Sequence, residues 1–148
     1  MTSLILFLVV ASHAMMPNPK LTPGAVDTSV TQANIGETIC KSGYTATVRA
    51  VTEDVRRKVA QKYGVPLADL AKDVEIDHFI SLEIGGSNDI RNLWPQYYKG
   101  QAGYFGAREK DVVENWLHKQ VCGGLLTLGQ AQNAIYGWVG IYKTLKGL

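Results

Sequence analysis

The sequence predicts an α+β fold: two short strands and a following helix, in the order β-β-α, at the centre of one domain with flanking helices and an extended N-terminal arm. Three observations predict it. Val74, Ile76 and the Phe79-Ile80-Ser81-Leu82 run carry β-favouring residues toward Gly85-Gly86, where the backbone can fold back through Asn92-Leu93-Trp94-Pro95. Between about Ala107 and Val121, Val112, Val113, Trp116 and Leu117 recur on one side of a helix that Gly123-Gly124 ends. Helix-start signals at Thr52 and Thr127 place further helices on either side.

Taken in order, residues 1–14 read as a signal peptide. An apolar run from Leu4 to Ala11 precedes Ser12-His13-Ala14, the small residues a signal peptidase reads, although the front end has no Lys or Arg. A short buried N-terminal strand or helix is the other reading. A membrane span is excluded for this run, which falls far short of the roughly 20 apolar residues a bilayer needs. Export to the periplasm or the medium is the expectation. Residues 15–35 form an arm in which Pro17, Pro19 and Pro23 deny regular hydrogen-bonded structure, with Leu21, Val26, Val30 and Ile35 as anchors.

Alternation over Thr38 to Val51 predicts short extended pieces, one held by Cys40. Thr52 caps a helix with Glu53 and Asp54 in its first turn and Gly64 at its end, buried through Val55, Val59 and Tyr63. Pro66 opens a short turn or helix. After Pro95, residues 96–106 read as a loop with Tyr97, Tyr98 and Tyr104, rings that with Trp94 either stack on unpaired bases or anchor the loop and core. Thr127 with Gln130 makes a capping box for one last helix to about Tyr142, buried through Ala131, Ala134, Ile135 and Trp138.

A chain of 148 residues that is 46% hydrophobic and 19% charged fits one modest core, and a monomer is expected. The net charge of +2 hides a basic stretch from Lys41 to Lys62, with Lys41, Arg49, Arg56, Arg57, Lys58 and Lys62 against Glu53 and Asp54, which either attracts phosphate or forms a solvated helix face. In an exported protein Cys40 and Cys122 read as one disulfide; in the cytosol they would be buried thiols. Neither lies in a Cys-x-x-Cys, which excludes a thiolate zinc knuckle or redox motif of that kind.

Asp77-His78 carries the chemistry. A carboxylate binds a hard divalent cation through oxygen, and the adjacent imidazole, on the opposite side of an extended chain, need not compete for it. With an ordinary pKa of about 6.5, histidine can take a proton from water near neutral pH. Asn92 can tie the returning loop together through side chain to backbone hydrogen bonds.

Asp77-His78, Leu82, Gly85-Gly86 and Asn92-Leu93 together resemble the core of the HNH, or ββα-metal, nucleases. The chain is also similar to small exported bacterial HNH-like proteins in its Thr22 to Val26 arm, its Thr38 to Cys40 segment, the Asp77 to Pro95 hairpin and the Lys110 to Cys122 helix, so the likeness covers most of the mature chain from about Met15, with residues 36–148 as a single HNH-like domain. The resemblance implies metal-dependent hydrolysis of a phosphodiester in DNA or RNA. His78 would be the general base, Asp77 a metal ligand, and Asn92 the residue that fixes the loop and orients His78. An Arg or Lys would bind the neighbouring phosphate, with Arg91 and Lys110 as the candidates and solvated surface charge as their other reading, and Mg²⁺, or Mn²⁺, would be the cofactor.

One departure stands out. HNH nucleases complete the metal site with a His or Asn near the helix start, where this chain has a Tyr/Gly loop and Gln101. The helix offers Glu114, with Asp111 and His118 as alternatives, and a carboxylate beside Asp77 would make an oxygen-rich site suited to Mg²⁺ or Mn²⁺; an ordinary Lys110–Glu114 helix ion pair is the competing reading. No helix with paired Arg or Asn reads base edges, so low sequence specificity is expected. The alternative is an exported, non-catalytic binding module on the same scaffold; a metal-dependent hydrolase of another substrate would keep the residues and change only what is cut.

Overall fold

The computed structural model describes residues 14–70, 72–98 and 104–148. The expected signal peptide, except Ala14, and Gln101 lie outside them. The fold is mixed α+β, with helices arranged around one two-stranded antiparallel sheet. Strand β1 (Val74–His78) pairs with β2 (Leu93–Tyr97) in a register that sets Glu75 opposite Gln96, Ile76 opposite Pro95 and Asp77 opposite Trp94. Pro95 is tolerated because a two-stranded ribbon consists of edges.

Alternation along the strands gives the ribbon two unlike faces. Ile76 and Leu93 pack with Val59 beneath helix α2 (Glu53–Lys62). Glu75 and Asp77 belong to the opposite face, where the Asp77 carboxylate meets Lys110 of α3 (Ala107–Cys122). Helix α2 starts as its sequence predicts: the Thr52 side chain accepts from Val55 N–H at 3.3 Å, and Gly64 follows its last turn at φ +66°. The larger core lies on the far side of α3, where Val113, Leu117 and Val121 pack with Ile80, Ile84, Leu128, Ile135 and Trp138.

Between the strands, residues 79–92 do not continue β1. A 3-10 turn over Leu82–Ile84 intervenes, and the chain doubles back at two glycines. Gly85 has φ +78°, and a Cβ on Gly86 would lie 1.7 Å from the Ile80 carbonyl oxygen, so only glycine fits there. The N-terminal arm lies along this turn: Asp27 N–H donates to Gly85 C=O, Ser87 N–H donates to Ala25 C=O, and Val26 forms an isolated bridge with Gly86. Of its expected anchors, Val30 is buried, Leu21 and Ile35 are half-buried, and Val26 is exposed.

Two local expectations are corrected. Residues 44–48 are a short helix, α1 (Tyr44–Val48), not an extended piece. Its β-branched residues have no strand to pair with, because the segment packs beside the 82–84 turn instead of the ribbon. The last helix is broken into α4 (Leu128–Ala134) and α5 (Trp138–Lys146) by a 3-10 turn over Ile135–Gly137. That tighter turn buries both Ile135 and Trp138 and lets Tyr136 meet Phe79 edge to face at 4.8 Å. The Thr127–Gln130 capping box is present.

Cys40 and Cys122 form a disulfide that ties the end of α3 to the segment before α1. His118 lies beside it, and one ligand atom from each of the three residues falls within 4.8 Å of the others. The sulfurs are bonded to each other, so this group gains metal-ligand character only when the disulfide is reduced. Among the described residues no helix is long and apolar enough to cross a membrane.

Candidate active site

Beside the end of β1 that leads into the 79–92 connection lies a polar cavity of about 390 Å³, walled by β1, the first half of α3 and the segment after α1. Asp77, His78, Asp111 and Glu114 line it together with Arg49, Arg56 and Arg108.

His78 is buried, and its Nε2 lies 3.0 Å from Asn88 Oδ1. The orientation of the Asn88 amide is fixed independently. Its Nδ2 donates to Val48 C=O at 2.8 Å, and its Oδ1 accepts from Ala50 N–H at 3.2 Å. Because the oxygen faces the imidazole, Nε2 carries the hydrogen and Nδ1 keeps the lone pair. Burial pushes the His78 pKa below its ordinary value, with Arg49 and Lys110 acting the same way, while the Asn88 hydrogen bond and Asp77 oppose them. The result is a neutral imidazole near neutral pH with one defined basic nitrogen.

Asn92 is wholly buried and works on the backbone. Its Oδ1 accepts from Ile80 N–H at 2.9 Å and from Ala25 N–H at 3.3 Å, while Nδ2 donates to Ile80 C=O at 2.9 Å and to Ser87 C=O at 2.8 Å. One side chain thus clamps the turn, the end of β1 and the arm. The jobs expected of Asn92 are divided: Asn92 fixes the loop, while the hydrogen bond that orients the imidazole comes from Asn88.

Lys110 is fully buried. Its Nζ donates to Asp77 Oδ2 at 2.9 Å, to His78 C=O at 2.8 Å and to Glu114 Oε1. Desolvation works against its charge, but Asp77 and Glu114 outweigh it and hold the pKa above the ordinary lysine value. One ammonium faces two carboxylates, so burial leaves Glu114 with a raised proton affinity. The ammonium therefore stands where a cation joining Asp77 to Glu114 would sit. Lys110 is a structural counter-ion, and its burial takes it away from any phosphate in the cavity.

The other helix candidates separate in the same way. The Nε2 of His118 lies 2.8 Å from Ile39 C=O, beside the disulfide and two turns along α3 from Lys110. Asp111 lines the cavity, and burial together with Asp77 raises its pKa. Glu75, two residues before Asp77 on the same strand face, is pushed up to about 7 by burial and then by Asp77 and Asp111. A hard cation would relieve this repulsion, but among the described residues Asp77, Asp111 and Glu75 do not bring three ligand atoms as close together as Cys40, His118 and Cys122 do, so the carboxylates this cavity offers an ion are Asp77 and Asp111.

Arg91 does not reach the cavity. It is exposed and paired with Asp89 through two hydrogen bonds of 3.0 Å, a contact that holds the Asp89 carboxyl down to about 2. The cavity arginines are Arg49, Arg56 and Arg108. Arg49 adjoins Val48 and Ala50, so one short segment both fixes Asn88 and brings a guanidinium to the site. The basic stretch from Lys41 to Lys62 pointed at Arg49 and Arg56, but nothing in the sequence picked them from its other cations. Asn88 carried no signal beyond its place in a polar turn.

No family model matches the chain, and no curated protein or solved structure does. The functional reading therefore rests on this chemistry alone.

Gln96, opposite Glu75 on β2, is fully buried, and among the described residues neither its amide atoms nor Trp94 Nε1 has a hydrogen-bond partner.

Proposed function

We propose that the chain is an exported, metal-dependent nuclease of the HNH type that hydrolyses phosphodiester bonds of nucleic acid with little sequence preference. The observation that carries this reading is the neutral His78, with Nε2–H directed to Asn88 and a free Nδ1 lone pair, on a cavity that also holds three arginines and a carboxylate group.

In this mechanism Nδ1 of His78 takes a proton from water, and the water oxygen attacks phosphorus as the bond to the 3′ oxygen breaks. Arg49, Arg56 and Arg108 hold the non-bridging oxygens and oppose the charge that develops on them. Asp77, with Asp111 on the same cavity, would hold Mg²⁺ or Mn²⁺, which would supply charge neutralisation at the phosphate and the departing oxygen. Asn88 fixes the tautomer, and Asn92 holds the backbone on which Asp77 and His78 stand.

The Lys110 ammonium between Asp77 and Glu114 favours a second reading, an exported binding module that keeps the ββα scaffold without chemistry. One experiment separates the two. Residues 15–148 are incubated with plasmid DNA and with RNA in Mg²⁺ and in Mn²⁺. Nicking or cleavage by wild type and not by His78→Ala is the nuclease result; equal inertness of both proteins across metals and substrates is the result for the binding module.

A further inference from the structure

A second cavity of about 260 Å³ lies beside the first, walled by Leu67, Leu70, Val74 and Tyr98 and edged by Arg57. The two share Arg56, Glu75 and Ile76, so they form one continuous surface with a polar half and a mixed half. The second is smaller than the roughly 300–1,000 Å³ of pockets that enclose drug-sized ligands, which suits one flat heterocycle. Leu67 is 49% exposed on its rim, an apolar contact that the core does not use. The Tyr98 ring is held in place by the Arg108 guanidinium, 5.4 Å from its centroid, and by Arg108 N–H donating to Tyr98 C=O at 3.1 Å.

We infer that this second cavity receives the base of a nucleotide flanking the phosphate held in the first, so that the enzyme acts on unpaired nucleotides. The inference rests on the nuclease reading and names its substrate class. The path runs through Arg56, which borders both cavities and reaches the phosphate from one and the nucleoside from the other. A nucleobase has apolar faces, which Leu67 and Tyr98 can cover, and polar edges, which Arg57 and Glu75 can meet. A base inside a duplex has its faces stacked and its pairing edge occupied, and cannot enter.

The test uses single-stranded octathymidylate, the same strand paired with its complement, and the single strand with one abasic position. Variants Leu67→Asp and Leu67→Asn change an exposed wall residue and leave His78, Asp77 and the cavity arginines intact. Binding is read on the His78→Ala background by fluorescence anisotropy without metal, and cleavage is read on the active enzyme with Mn²⁺. The expected result is tighter binding of the single strand than of the duplex, weakened about tenfold or more by each wall variant and by the abasic position. Cleavage that does not distinguish the strands and does not respond to either variant overturns the subsite while the nuclease reading stands. Wall-dependent binding with no cleavage overturns the nuclease reading and keeps the base pocket. Absence of both binding preference and cleavage overturns the two together.

Discussion

Asn88 Oδ1 lies 3.0 Å from His78 Nε2, and Val48 C=O and Ala50 N–H hold the same amide from behind. This relationship makes His78 a base at one named nitrogen. Since burial depresses its pKa, the acid limb of activity falls below the ordinary histidine value of about 6.5. Asn88→Ala removes a contact that raises that pKa, so the limb moves further down while the rate drops about 10–100-fold from lost orientation. Rate against pH on a single-stranded substrate reads both effects; an upward move of the limb would contradict the assignment.

The same depression has a thermodynamic consequence. The unfolded chain binds this proton more readily than the folded one, so the His78 contribution to stability is complete above about pH 6.5. It is lost as pH falls through the folded pKa. Chemical denaturation of wild type and His78→Gln at pH 5 and pH 8 is expected to show the smaller pH dependence in the variant.

Lys110→Met leaves the Asp77 and Glu114 carboxylates facing each other across a buried space without their counter-ion. The expected loss is about 3–5 kcal/mol by urea denaturation, because removing one partner of a buried ionic group costs more than the intact group contributes. Adding Glu114→Gln to Lys110→Met should recover part of it. A neutral single substitution would remove Lys110 as the organiser of this face.

Gln96 is buried and neither amide atom has a partner among the described residues, so Gln96→Leu, of similar volume, should stabilise the fold by about 1–2 kcal/mol. A rise in melting temperature checks it.

The Cys40–Cys122 bridge closes a loop spanning 82 residues, and its loss through Cys40→Ser with Cys122→Ser is expected to destabilise by about 4–5 kcal/mol in the chain-entropy description. Melting of wild type with and without a dithiol reductant provides the control.

Where a local signal agreed with its surroundings, the sequence was readable. The Thr52 cap, the Thr127–Gln130 box, the helical period of 107–122 and the Gly85-Gly86 return lie where elementary rules place them. Residues 44–48 became helix despite β-branched side chains, since strand formation needs a neighbour that only the folded chain supplies. The site divides similarly. Asp77 and His78 were visible as an adjacent acid and imidazole, whereas Asn88 acts through contacts 10 and 40 residues away in the chain, and Arg49 reaches the cavity from the distant segment that holds Asn88. Step-of-four spacing along α3 put Lys110, Glu114 and His118 on one face, but only packing shows that Lys110 satisfies Glu114 and that His118 belongs to the disulfide end.

The central claim is that His78 Nδ1 activates water on a phosphodiester bound in the arginine-lined cavity. Its most direct test is the single-turnover cleavage rate of a single-stranded oligonucleotide at pH 7.5 with saturating Mn²⁺, compared between wild type and His78→Ala under conditions where both are folded. Loss of a general base predicts a fall of about 10²–10⁴-fold. Equal rates for the two proteins, whether fast or at background, would contradict the account.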